Sequence, residues 1–179
     1  MVKIANLGFP RIGPKRELKK ALEQYWKENI SYAELTNVAK GIRKANWLLQ
    51  KEADVDYIAS NDFSFYDHIL DLTATLGAVP ERYEFTGSEV DPETYFAMAR
   101  GLQKDGKDVV AMEMTKWFDT NYHYIVPEFS DQTNFKLSSD KIFREFSEAL
   151  ELGIQTRPVI VGPITYLLLG KARDEGFDK

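Results

Sequence analysis

The stretch Gly8-Phe9-Pro10-Arg11-Ile12-Gly13-Pro14-Lys15-Arg16-Glu17-Leu18-Lys19-Lys20 decides how the chain is read. The apolar run from Ile4 to Leu7 feeds it and predicts a strand. Two glycines and two prolines within seven residues then mark a turn. A helix is expected to follow with Pro14 in its first turn, where a missing N–H removes no hydrogen bond. Leu18, Ala21, Leu22, Tyr25 and Trp26 recur at helical spacing and predict one apolar stripe. Arg11, Lys15, Arg16, Lys19 and Lys20 crowd the same corner. A helix N-terminus already carries partial positive charge. Cations gathered there oppose helix stability and point to an anionic partner. A solvated amphipathic helix with ordinary surface lysines explains the same residues.

Further along, Ser31-Tyr32-Ala33-Glu34 is a capping box. It predicts a long second helix to about Ala53, with Leu35, Val38, Ala39, Ile42 and Leu49 at helical spacing. Tyr57-Ile58-Ala59 predicts a second strand, followed by a polar and aromatic loop and a helix from Tyr66 to Leu76. Residues 81–90 read as irregular, and Asp91-Pro92 starts a helix that ends at Gly101. Gln103–Asp108 reads as a loop and Val109–Met112 as a buried third strand. Ser138 or Ser139 is expected to cap a helix with Ile142, Phe143, Phe146 and Leu150 on one side. Pro158–Val161 predicts a fourth strand, and Ile164–Leu169 starts another helix. The tail from Gly170 is charged and has no evident core.

Short apolar strands separated by helices predict a parallel sheet covered by helices. Polar, Gly- and Pro-rich clusters follow each strand, at Gly8, Ser60, Glu113 and Gly162, where α/β sheets and barrels place their sites. No Gly-x-Gly-x-x-Gly and no P-loop occurs. Four strands are too few to close a barrel, which takes eight strands and about 250 residues. The chain therefore reads as one piece that stops early.

The 179 residues carry a net charge of −5, which argues against bulk nucleic-acid binding and makes the basic corner a local exception. Hydrophobic residues make up 44% and aromatics 13%, enough for a packed core. The absence of cysteine excludes disulfides and thiolate metal ligands within the chain and fits a reducing cytoplasm. No signal-peptide segment or membrane span is evident.

Two further clusters carry chemistry. Asn61, Asp62, Tyr66, Asp67 and His68 bring two carboxylates near a histidine, suited to acid–base work or simply to a helix start. Glu113, Lys116, Asp119, Asn121, His123 and Tyr124 form the other. There Lys116 lies among apolar neighbours and suits a carboxylate or phosphate. Asn121 offers both a donor and an acceptor. Trp117, Phe118, Tyr122 and Tyr124 suit either a flat face for a ring or the core. Two isolated histidines make a weak metal site, and no motif for a serine or cysteine nucleophile is present.

Taken together, Leu7–Gly13, Arg16-Glu17-Leu18-Lys19, Asn61-Asp62-Phe63 with Tyr66-Asp67-His68, Glu113–Phe118 with Asn121–Tyr124, and Val161–Tyr166 resemble cobalamin-independent methionine synthase, in the family's order and spacing from Met1 to about Lys171. The resemblance implies methyl transfer from 5-methyltetrahydropteroyltri-L-glutamate to L-homocysteine, giving L-methionine, without cobalamin. It implies an α/β fold of βα units, with residues 1–179 forming about the first half of an N-terminal (βα)8 TIM-type barrel. The rest of that barrel and a C-terminal domain holding a zinc ion would lie outside the chain. With no cysteine, this chain contains no such zinc site and is expected to be inactive alone. The resemblance also places Lys15, Arg16, Glu17, Leu18, Lys19, Lys116 and Asn121 at positions that meet the folate and its glutamate tail. It assigns no catalytic residue here and no role to the loop from Asp62 to His68. The open edges of a half barrel lead us to expect self-association of the isolated piece. The competing reading is an α/β module whose basic corner binds acidic peptides or a protein partner.

Overall fold

A computed structural model describes residues 2–104 and 106–173. In chain order the elements are α1 (Glu17–Trp26), α2 (Tyr32–Glu52), β1 (Ala59–Ser60), α3 (His68–Thr75), a 3-10 turn (Glu81–Tyr83), α4 (Pro92–Arg100), β2 (Leu102–Lys104), β3 (Lys107–Val109), β4 (Met114–Lys116), β5 (His123–Ile125), β6 (Glu128–Phe129), α5 (Lys141–Glu151), β7 (Arg157–Pro158), α6 (Pro163–Leu169) and β8 (Lys171–Ala172). They fall into two units, Met1–Phe65 with Lys141–Val159 and Tyr66–Asp140 with Ile160–Lys179.

The first unit holds a short parallel ladder. Ala5 bridges Tyr57 in parallel, and β1 pairs with β7 in parallel, Ala59 opposite Arg157 and Ser60 opposite Pro158. Around it lie α1, α2 and α5. The capping box of α2 forms as its sequence predicts, with the Ser31 side chain accepting from the Glu34 N–H and the Glu34 carboxylate accepting from the Ser31 N–H at 2.7 Å. Leu35, Ala39, Ile42 and Trp47 form the buried face of α2. Trp47 packs with Ile58, Ala149 and Ile154, and its indole N–H donates to the Ala59 carbonyl at 3.0 Å.

The second unit is built from α3, α4, α6, two antiparallel hairpins (β2–β3 and β4–β5) and the parallel pair β6–β8. Consecutive residues of α3 serve two clusters. Ile69 packs with Tyr124, Val126, Phe129 and Tyr166, while Leu70 packs with Met98, Met112 and Ile125. Glu128 is buried and receives both Arg82 and Arg173. Gly170 has no room for a side chain, because a Cβ there would stand 2.2 Å from the Phe129 ring.

Several expectations change. Helix α1 starts at Glu17, not Pro14, because Arg16 adopts a left-handed conformation (φ 61°, ψ 38°) that cannot continue a helix. Helix α3 starts at His68, because the Asp67 side chain is its N-cap and accepts from the Ile69 N–H at 2.7 Å. The expected loop Gln103–Asp108 contributes to the β2–β3 hairpin. The expected buried strand Val109–Met112 is only the end of that hairpin, and Val110 is exposed. The parallel ladder thus passes from β1 directly to β7. Helix α5 begins at Lys141, while the proposed cap Ser138 is buried with its N–H donating to the Thr75 carbonyl. That helix buries Glu145 and Ala149 and leaves Phe143 and Leu150 exposed, because Glu145 and Glu148 turn toward Arg43. The tail forms β8 as far as Ala172, and residues 174–179 lie outside those described. Among the described residues no helix is long and apolar enough to cross a membrane.

Candidate functional site

In the first unit, the loop entering α1 is fixed mainly by its backbone. The Phe9 N–H donates to Asp62 Oδ2 at 2.7 Å. The Asn46 amide donates to the Pro10 carbonyl at 3.3 Å, and the Arg11 guanidinium to the Ser64 carbonyl at 3.2 Å. Gly13 takes φ 80°, a conformation that a glycine adopts without a Cβ penalty. The Arg16 N–H then closes the turn on the Gly13 carbonyl, and the Glu17 carboxylate accepts from the Lys15 N–H at 2.9 Å.

This geometry separates the five residues named here from the sequence. Leu18 is fully buried, so its side chain belongs to the core. Glu17 is half-buried and turned back on the Lys15 backbone. Lys15, Arg16 and Lys19 are exposed, and Lys19 makes a loose ion pair with Glu23 at 3.6 Å, one helical turn away. Such an exposed pair contributes little to stability. The cations are therefore displayed on a turn built from other groups.

In the second unit, the β4–β5 hairpin carries the other two residues. The Trp117 N–H donates to the Tyr122 carbonyl at 2.7 Å. The Thr120 hydroxyl donates to the Trp117 carbonyl at 2.6 Å and accepts from the Tyr122 N–H at 3.1 Å. Lys116 and Asn121 are exposed on this closed tip. Trp117 lies half-buried against Phe118, Tyr124 and His68, with ring centroids 5.2, 5.8 and 5.0 Å away. His68 Nδ1 lies 2.9 Å from the Tyr122 hydroxyl, which binds the start of α3 to the hairpin.

Backbone strain marks the same loops. Among the described non-glycine residues with positive φ, Glu28, Asp54 and Glu84 sit at or just past helix ends, where a left-handed residue is ordinary. The others, Arg16, Asn61 and Phe118, sit in the loops that precede α1, follow β1 and follow β4. Strain of this kind persists where surrounding contacts over-determine it, and it gathers at functional sites.

Asp67 is the most perturbed carboxyl beneath the hairpin. Burial pushes it up to about 7, against the N–H groups of Ile125, Ile69 and Leu70, which favour the anion, and with the neighbouring Asp71 adding to the rise. A carboxyl raised in the folded state stabilises the fold most at low pH. Its contribution is lost as pH rises from the unfolded value of 3.8 toward 7. Asp67→Asn is therefore expected to be more costly at pH 4.5 than at pH 7. Urea denaturation at both pH values checks this, and an equal cost at the two contradicts it.

Among the described residues no three His, Cys, Asp or Glu side chains converge as a metal site.

The chain is a mixed α/β chain that displays cations on the loop before α1 in the first unit and aromatic side chains on the β4–β5 hairpin in the second. Residues 3–179 match the family described as "Cobalamin-independent synthase, N-terminal domain", and the chain belongs to that family. It is 61% identical over 179 residues to a 5-methyltetrahydropteroyltriglutamate–homocysteine methyltransferase of Flavobacterium johnsoniae, covering 99% of this chain and 23% of the relative. The enzyme of the same name from Parvibaculum lavamentivorans is 58% identical over 178 residues, covering 99% and 23%. That of Saccharomyces cerevisiae is 55% identical over 185 residues, covering 99% and 24%. The chain thus spans about a quarter of the length of these relatives.

The sequence reading missed Asp62, Ser64 and Asn46 as supports of the loop before α1. Asp62 and Phe9 lie 53 positions apart, and no local spacing signals such a contact.

Proposed function

We propose that this chain is the folate-side, N-terminal part of a methyltransferase that moves a methyl group from 5-methyltetrahydropteroyltri-L-glutamate to L-homocysteine, giving L-methionine. The observation that carries the reading is the exposed set Lys15, Arg16 and Lys19 on a turn held by Gly13, Glu17 and Asp62. A triglutamate tail is a run of carboxylates. Cations displayed on a pre-formed turn attract it with little reorganisation. Leu18 would contribute through its main chain and Glu17 by holding the turn. Lys116 and Asn121 would reach the folate from the hairpin tip, Lys116 as a point charge and Asn121 as donor and acceptor.

The parallel order from Ala5 through β1 to β7 supports a (βα)8 barrel of which this chain forms the opening part, with residues 66–140 inserted after the second strand. The exposed side chains of Phe143, Leu150, Ile164 and Leu168 would be covered by the remainder of the longer protein, and would drive self-association of the piece alone. Thiol activation by zinc belongs to the C-terminal part, and the whole enzyme would work in the cytoplasm. The full-length protein is expected to form methionine from the triglutamate donor and homocysteine. Residues 1–179 alone are expected to form none above a zinc-free blank, and methionine from the short chain would overturn this division of labour.

A further inference from the structure

The loop carrying the cations rests on a second loop to which no role has been given. Asp62 lies two residues past the end of β1, and its carboxylate is aimed at the backbone of the first loop, accepting the Phe9 N–H at 2.7 Å. Contact is close enough that a Cβ on Gly8 would stand 3.1 Å from Asp62 Cβ and 3.3 Å from Oδ2. The Arg11 guanidinium adds a bond to the Ser64 carbonyl two residues further on. The segment from Gly8 to Arg11 is thus fastened to the segment from Asp62 to Ser64 by side-chain-to-backbone bonds.

The second loop is itself held firmly. Asn61 takes φ 58°, a left-handed conformation that asparagine adopts more readily than other side-chain-bearing residues. Its N–H donates to Glu145 Oε2 at 3.1 Å, its amide donates to the Val159 carbonyl at 2.8 Å, and its Oδ1 accepts from Lys141 at 2.9 Å. Glu145 is buried and pairs with Lys141 at 3.2 Å and with Arg43 at 3.8 Å. Arg43 in turn holds Glu148 with a forked pair of bonds, Nε to Oε2 and Nη2 to Oε1, both at 2.9 Å. A buried ion network on α2 and α5 therefore fixes Asn61, and Asn61 fixes its neighbour Asp62. Removing solvent from Asp62 raises its carboxyl above the usual range, and the Phe9 N–H, Lys141 and Arg43 oppose the rise.

We infer that Asp62 is a positioning residue for the anionic tail of the folate: it clamps the Gly8–Phe9 backbone so that Lys15, Arg16 and Lys19 are presented in one fixed arrangement. The inference rests on the tail-binding reading above. It separates two duties on neighbouring loops, with charge supplied by the loop before α1 and registration supplied by the loop after β1. The prediction that distinguishes a positioning role is a selective loss for the long tail.

The test uses the full-length protein and measures dissociation constants for triglutamate and monoglutamate 5-methyltetrahydrofolate. Asp62→Ala is expected to weaken the triglutamate about tenfold, in line with the sensitivity of bound ligands to small misplacements, and to leave the monoglutamate within about twofold. Asp62→Asn keeps an acceptor for the Phe9 N–H and is expected to restore most of the difference. Equal weakening of both ligands, or no rescue by asparagine, overturns the inference. If Asp62→Ala does not fold, Asn46→Ala, which removes the bond to the Pro10 carbonyl, decides the matter. A selective loss for the triglutamate supports positioning, and an unchanged preference contradicts it. Lys19→Ala in the same assay separates this inference from its premise. A selective effect at Lys19 without one at Asp62 sinks the positioning role only, while no selective effect at Lys19 sinks the tail-binding reading.

Discussion

Replacing Glu128 with alanine is expected to destabilise the second unit by about 3–5 kcal/mol, the range for removing one partner of a buried ion pair. Arg82 reaches both carboxylate oxygens, at 2.6 and 2.9 Å, and Arg173 reaches Oε1 at 2.5 Å, while Glu128 itself is buried. Removing the carboxylate leaves Arg82, half-buried, without its counter-charge. Burial alone would raise the Glu128 carboxyl, but the two guanidiniums outweigh burial and hold it below its usual range. A carboxyl depressed in this way stabilises the fold above the unfolded value of 4.5 and loses that contribution as pH falls through the folded value. The loss in Glu128→Ala should therefore be largest near neutrality and shrink in acid. Chemical denaturation at pH 7 measures it. A loss under about 1 kcal/mol, the scale of an exposed pair, contradicts the assignment.

Trp47→Ala is expected to cost about 3–5 kcal/mol in the first unit, as large-to-small changes of buried aromatics do. Trp47 is 2% exposed and joins α2 to Ile58, Ala149 and Ile154. Its indole N–H also satisfies the Ala59 carbonyl in β1, so truncation leaves both a cavity and an unpaired acceptor. Trp47→Phe keeps most of the apolar area and loses only that bond, so its cost should be about 1–2 kcal/mol. If the two variants lose the same stability, packing is not what Trp47 supplies. Near-wild-type stability in both would place it outside the core.

The features that were legible in the sequence share a cause: each is written in residues close together along the chain. The α2 capping box and the Asp91-Pro92 start of α4 are local, and both form as read. Helix α1 was legible from its stripe, but its start was not. The left-handed Arg16 follows from a turn closed by Gly13 and Glu17, and proline statistics alone favour an earlier helix. The two hairpins between α4 and β6 were missed because their strands are only three residues long, and β2, β3 and β4 are largely exposed. A short run such as Val109–Met112 looks like a buried parallel strand and carries no period to correct that impression.

The candidate site was legible in its chemistry and not in its support. Five cations at one strand–helix corner stand out in a chain of net charge −5. Asp62, Asn61 and Glu145 gave no such signal, because what matters is a set of contacts between residues 53 and 84 positions apart. For the same reason the apolar side of α5 gives no sign that Glu145 and Ala149 form its buried face. Helical spacing predicts which residues share a face, whereas the ion network with Arg43 decides which face turns in.

The central claim is that the corner around Lys19 receives the glutamate tail of the folate. In the full-length protein the most direct measurement is the ratio of dissociation constants for monoglutamate and triglutamate 5-methyltetrahydrofolate, compared between wild type and Lys19→Ala. Loss of one partly exposed charge-assisted contact should weaken the triglutamate about tenfold, the equivalent of about 1.4 kcal/mol. The monoglutamate should be nearly unaffected, and rising salt should shrink the wild-type preference for the long tail. If Lys19→Ala weakens both ligands equally, or weakens neither, the tail does not bind at this corner.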